Sequence, residues 1–116
     1  MSKSEHPKGI RNIRIYDQYF QFIKAGTKTI EVRVAYPGMR KIAVGTVIRF
    51  CTDSDFCDRR VIRVASYSSF SGMMAQENSA KINPTKSADE QLREIRKIFP
   101  PSKEKIGVII FEFVPA

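Results

Sequence analysis

Apolar and polar residues alternate from early in the chain. In RNIRIY (11–16), Ile13 and Ile15 alternate with Asn12 and Arg14, the period-two pattern of a half-buried strand. The period then lengthens: Tyr16, Tyr19, Phe20 and Ile23 fall at i, i+3, i+4 and i+7, with Asp17 as N-cap and Gly26 after Lys24 as the stop. This predicts a short amphipathic helix whose aromatics belong to the core. TKTIEVRVAY (27–36) returns to period two, with Ile30, Val32 and Val34 on one face and Thr29, Glu31 and Arg33 on the other. Pro37-Gly38 marks a turn and Gly45 another. TVIRFC (46–51) and RRVIRVASY (59–67) then read as the two arms of a long hairpin, with Val61, Arg63 and Ala65 alternating against Ile62, Val64 and Ser66.

The pattern changes after Ser68, with a short helix expected around Met73 to Glu77. A clearer helix follows Ser87, which forms a capping box with Glu90 and carries an apolar stripe of Ala88, Leu92, Ile95 and Phe99. Pro100-Pro101 ends it. IGVIIFEFV (106–114) is rich in β-branched and aromatic residues and reads as a core strand. The order β-α-β-β-β-α-α-β predicts an α+β fold: a small, twisted, partly closed β-barrel with appended helices. It forms one domain over 10–116, preceded by a flexible polar tail over 1–9.

Composition changes this picture in one respect. Twenty Lys and Arg against twelve Asp and Glu give a net charge of +8, and such an excess favours a polyanionic partner through counterion release. No run of apolar residues is long enough for a membrane span, and MSKSEHPKG lacks the apolar stretch of a signal peptide. The expectation is a cytoplasmic protein, a monomer or weak dimer, with no membrane partner. Cys51 and Cys57 flank the acidic loop TDSDF. A cross-hairpin disulfide and two partly buried free thiols both fit, the thiols being expected in a reducing compartment. His6 is the only histidine and no Cys-x-x-Cys occurs, so neither a metal site nor a cofactor is expected.

The densest polar cluster is GTKTIEVR, Gly26 to Arg33. It starts at a helix-to-strand junction and combines an ammonium (Lys28), a hydroxyl (Thr29), a carboxylate (Glu31) and a guanidinium (Arg33). Such a set can hold a phosphate and hydrogen-bond a base edge together. On spacing alone, the plainer account of Glu31 and Arg33 is a solvated same-face pair. Arg59, Arg60 and Arg63, with Arg40 and Lys41, either form a phosphate-tracking rim or are spread over unrelated faces. Tyr36 and Tyr67 either stack on a base or pack at strand ends.

Gly26-Thr27-Lys28-Thr29-Ile30-Glu31-Val32-Arg33 resembles the G-x-K-x-x-E-x-R signature of the ASCH (activating signal cointegrator homology) family. As in that family, the signature follows a helix of the F-x-x-I-x-x-G kind, here Phe20, Ile23 and Gly26. The likeness continues through EVRVAYPGMRKIAVGTVIRF to GVIIFEF. The resemblance implies a PUA-like barrel that binds RNA, or a modified nucleoside or nucleotide, in a cleft beside this motif, with Lys28, Thr29, Glu31 and Arg33 lining it.

One branch of the family hydrolyses N4-acetylcytidine without a metal, using a lysine, a threonine and a glutamate. The lysine matches Lys28, and Gln76-Glu77-Asn78 resembles the stretch that supplies the glutamate, which implies Lys28 and Glu77 as catalytic candidates. The threonine, third after the lysine in that branch, is Glu31 here, so the catalytic set is incomplete. Ribonuclease activity, or a role as a transcription-coregulator interaction module, are the further implications.

Overall fold

The structure, a computed structural model, describes residues 9–116. The tail expected over 1–9, including His6, lies outside the described residues up to residue 8. The sheet contains β1 (Ile10–Arg14), β2 (Ile30–Val34), β3 (Val47–Cys51), β4 (Phe56–Tyr67) and β5 (Val108–Pro115). The helices are α1 (Asp17–Ala25), α2 (Pro37–Arg40), α3 (Phe70–Gln76), α4 (Ser79–Ile82), α5 (Ala88–Ile98) and α6 (Pro101–Glu104). The strand order is β1-β3-β4-β5-β2; β1 pairs with β3 in parallel and the other pairings are antiparallel. The sheet curls into a half-barrel with β1 and β2 as its two edges, in agreement with the expected α+β class of a small, partly closed barrel with appended helices.

Each sheet face carries a core. On one lie Ile13, Phe20, Ile23, Ile48, Phe50, Val61, Phe111 and Phe113, with α1 packed across them. On the other, Ile30, Val34, Phe70, Met73, Val108 and Ile110 meet α3 and the stripe Leu92, Ile95 and Phe99 of α5. Phe20, Phe50, Phe70 and Phe111 are fully buried, each stabilising the fold by roughly 2 kcal/mol through the apolar surface it removes from water.

Local signals account for most boundaries. Gly26 caps α1 in the left-handed region at φ 84°, where a side chain would be strained. Ser87 and Glu90 form the capping box on α5. Three differences from the expected elements have physical causes. Tyr16, not Asp17, is the N-cap of α1, and Asp17 instead places its charge in the first turn. Pro37-Gly38 opens the one-turn helix α2 rather than a simple turn, since proline at the first helical position has φ preset.

In β4 the register against β5 slips between Val61 and Arg63, so a bulge at Ile62 breaks the alternation. Val61 and Val64 thereby join one core while Ala65 and Tyr67 join the other. Both cysteines are half-buried free thiols. Among the described residues, no helix is long and apolar enough to cross a membrane.

Candidate functional site

The edge position of β2 shapes the polar centre. Past the Gly26 cap, the Thr27 and Lys28 N–H groups both donate to the Phe22 carbonyl, which turns the chain from α1 into β2. That turn folds the Lys28 side chain back along the strand. The residue is 3% exposed, and its ammonium donates to the Ile30 carbonyl at 2.7 Å and the Ile82 carbonyl at 2.8 Å. Its third partner is Glu31 Oε1 at 3.2 Å. Lys28 therefore pins α4 to the sheet edge through two carbonyl hydrogen bonds and an ion pair.

Glu31 is the middle of a chain of charges. Oε2 accepts from Arg33 Nε at 2.7 Å. Burial pushes the Glu31 carboxyl up, but Lys28 and Arg33 together outweigh it and hold it below the usual glutamate range. Burial likewise draws the Lys28 ammonium below its ordinary value against the opposing pull of Glu31. Arg33 reaches on to the Arg14 carbonyl through Nη2 at 3.2 Å, tying one sheet edge to the other. Its Nη1 meets no acceptor among the described residues, and its side chain is 31% exposed.

This chain of charges lies beside a cleft of about 890 Å³. One wall comes from the end of β1 and the start of α1, with Arg14, Tyr16 and Tyr19. Lys28, Glu31, Val32 and Arg33 lie along β2. The opposite wall is Asn83, Gln91, Glu94, Ile95, Ile98 and Phe99. Tyr16 is 78% and Ile98 65% exposed, so an apolar group faces the opening from each side. The expectation that the α1 aromatics belong to the core holds for Phe20 and for Tyr19, which packs against the core while also lining the cleft, but not for the exposed Tyr16. Helical periodicity marks a shared face, and a cleft wall produces the same spacing as a core.

The other expected site residues are placed elsewhere. Thr29 does not line the cleft; its N–H donates to the Lys81 carbonyl and its carbonyl accepts from Phe113. Glu77 lies on the opposite sheet face from Glu31 and Arg33, held by both terminal nitrogens of Arg63 and by the Tyr67 hydroxyl. These bonds, Arg63 foremost, hold its carboxyl below the ordinary value in spite of burial. Arg63 also donates to Glu112 at 2.7 Å.

Arg40, Arg59 and Arg60 tie down the backbone carbonyls of Ala35 and Ile106, of Ile23 and of Gly45 respectively. None of them lines the cleft, so no continuous arginine rim forms there. Tyr36 lies under the Lys103 ammonium. Asn83 and Gln91, by contrast, carry no signal in the sequence. Each is a single amide in a polar stretch, and only the packing of α4 and α5 against β2 brings them to the cleft.

Comparisons with known proteins agree with this architecture. A model of the ASCH domain matches residues 13–115. The crystal structure of the hypothetical protein PH0355 superposes with a TM-score of 0.80 at 27% identity, covering 93% of this chain and 99% of that one. The solution structure of PF0455 from Pyrococcus furiosus gives 0.71 at 26% identity, with 91% and 96% covered. The ASCH protein of Zymomonas mobilis is similar in fold, with a TM-score of 0.68 at 13% identity over 93% of this chain and 68% of that one. Comparison with curated protein sequences gives no match.

Proposed function

The chain belongs to the ASCH domain family, and from that premise we propose that it binds RNA, or a nucleoside or nucleotide, in the cleft beside Lys28, Glu31 and Arg33. One observation carries the proposal: a buried carboxylate, fixed by Lys28, orients a guanidinium whose remaining nitrogen is unengaged at the cleft. A planar donor held this way suits a phosphate oxygen. Tyr16 and Ile98 offer flat and apolar surface for a base, and the net charge of +8 favours approach of a polyanion.

Fluorescence-anisotropy titration of a short labelled RNA, and competition by nucleoside monophosphates, test this directly. The expected result is salt-dependent binding that Arg33→Ala weakens about tenfold or more. Absence of affinity at low ionic strength, or an Arg33→Ala protein that binds like the wild type, would overturn it.

Binding is supported over turnover by the state of the candidate catalytic groups. Lys28 is buried and held by two carbonyls and Glu31, Glu31 stands where the amidohydrolase branch has threonine, and Glu77 is bound to Arg63 and Tyr67 on the opposite face from Glu31. Incubation with N4-acetylcytidine should therefore release no cytidine, and release abolished by Lys28→Ala would reverse the order of the two readings.

A further inference from the structure

Two amide side chains on the α4–α5 wall of the cleft are each held at one end and unpaired at the other. Asn83, the C-cap of α4, is 5% exposed. Its Oδ1 accepts from the Thr85 N–H at 2.9 Å and from the Thr85 hydroxyl at 2.7 Å. The backbone donor identifies that end as the oxygen, which leaves Nδ2 as the open end. Nothing among the described residues accepts from Nδ2.

Gln91 is the reverse case. It lies one turn into α5 and is 6% exposed. Its Nε2 donates toward the carbonyls of Ser79 at 2.9 Å, Asn83 at 3.2 Å and Lys86 at 3.0 Å. Carbonyls crowded around one atom are satisfied only by a nitrogen, so this amide cannot be turned over. Its Oε1 is then left without a donor while sealed from water, the one side-chain atom in that state among the described residues. Buried acceptors are otherwise paired, so an orphan at a cleft points to a partner that arrives from outside.

The bond from Gln91 Nε2 to the Asn83 main-chain carbonyl brings the Gln91 amide against the Asn83 backbone, and both residues line the cleft that holds Arg33. We propose that Asn83 Nδ2 and Gln91 Oε1 form a donor–acceptor pair that reads the edge of a nucleobase. Nδ2 donates to a ring nitrogen or carbonyl, and Oε1 accepts from the N–H beside it. This rests on the cleft being a nucleotide site, and it divides the work: Arg33 takes charge, while the two amides take the base. Each of the common bases carries an acceptor next to an N–H, so the pair recognises a base as a class. An unprotonated inorganic anion cannot satisfy Oε1, which needs a donor.

The test compares whichever of adenylate, cytidylate, uridylate and guanylate binds most tightly with its counterpart lacking the N–H. The counterparts are purine ribotide, pyrimidin-2-one ribotide, 3-methyluridylate and 1-methylguanylate, titrated by calorimetry. Loss of the N–H should weaken binding about tenfold, because Oε1 is again unpaired. Asn83→Asp, whose carboxylate keeps both bonds from Thr85 and removes the donor, should weaken the intact nucleotide by a similar factor.

If nucleotides bind in an Arg33-dependent way but neither change matters, the inference is overturned while the cleft keeps its proposed function, and Oε1 is satisfied by an internal water. If neither a nucleotide nor a short RNA binds, both fall together. Should Asn83→Asp not fold, the nucleotide analogues decide the question without it.

Discussion

Two clusters of like composition, on opposite faces of one sheet, use an arginine in opposite ways. In each, a carboxylate shielded from solvent is held by a guanidinium projecting from a strand: Glu31 by Arg33 on one face, Glu77 by Arg63 on the other. Arg63 has the more exposed side chain, 42% against 31%, so exposure alone would mark it as the better ligand group. Its nitrogens are nevertheless all engaged, with Nε on Glu112 and both terminal nitrogens on Glu77. Arg33 uses Nε on Glu31 and Nη2 on a backbone carbonyl, which leaves Nη1 for a ligand. What separates a structural cluster from a binding cluster here is the balance of donors and acceptors. Around Arg63 two carboxylates meet one cation; around Glu31 two cations meet one carboxylate.

The largest expected effect breaks the comparison at its carboxylates. Glu31→Ala leaves the Lys28 ammonium buried without its counter-charge, and breaking a buried pair costs about 3–5 kcal/mol. Glu77→Ala leaves Arg63 partly solvated and still paired with Glu112, so the loss should be about 1–2 kcal/mol. Urea denaturation of both variants checks the order. Equal losses would mean that Lys28 is not held as a charge by Glu31.

Next comes the arginine pair. Arg33→Ala should weaken nucleotide binding about tenfold or more while Arg63→Ala leaves it unchanged, read by the same titration. A smaller effect concerns pH. Glu31 and Glu77 are both held below the ordinary glutamate range when folded. Protons therefore enter the unfolded chain first, at about pH 4.3. The stabilisation is complete above that pH and is lost as pH falls through the folded values. Thermal midpoints should drop below about pH 4, and less steeply in Glu31→Gln. A midpoint that stays flat in that range would contradict the assignment. The smallest effect is at the cleft mouth: Tyr16→Ala should leave stability unchanged, because the ring is 78% exposed, and weaken binding a few-fold through lost stacking, roughly 1 kcal/mol.

Residues close together in the sequence announced themselves best. Gly26 as the cap of α1, the Ser87–Glu90 box and the Lys28–Glu31–Arg33 set are all local patterns, and local physics forms them. The bulge at Ile62 was not legible, because an extra residue in a strand leaves the apolar count unchanged and shifts only its phase. Asn83 and Gln91 were hidden for another reason. Their part depends on carbonyls at the ends of α4 and on the approach of that helix to Lys28, 54 residues away in the chain. Glu77 was singled out by its flanking residues, but its side chain follows Arg63 across the bulged strand.

The central claim is that ligand enters at the unsatisfied arginine and not at the satisfied one. Heteronuclear NMR of the arginine Nε–Hε groups during titration with the tightest-binding nucleoside monophosphate reports on both at once. The expected result is a shift of the Arg33 resonance together with the Asn83 and Gln91 side-chain amides, while Arg63 stays in place. Perturbation centred on Arg63, with Arg33 unmoved, would contradict it.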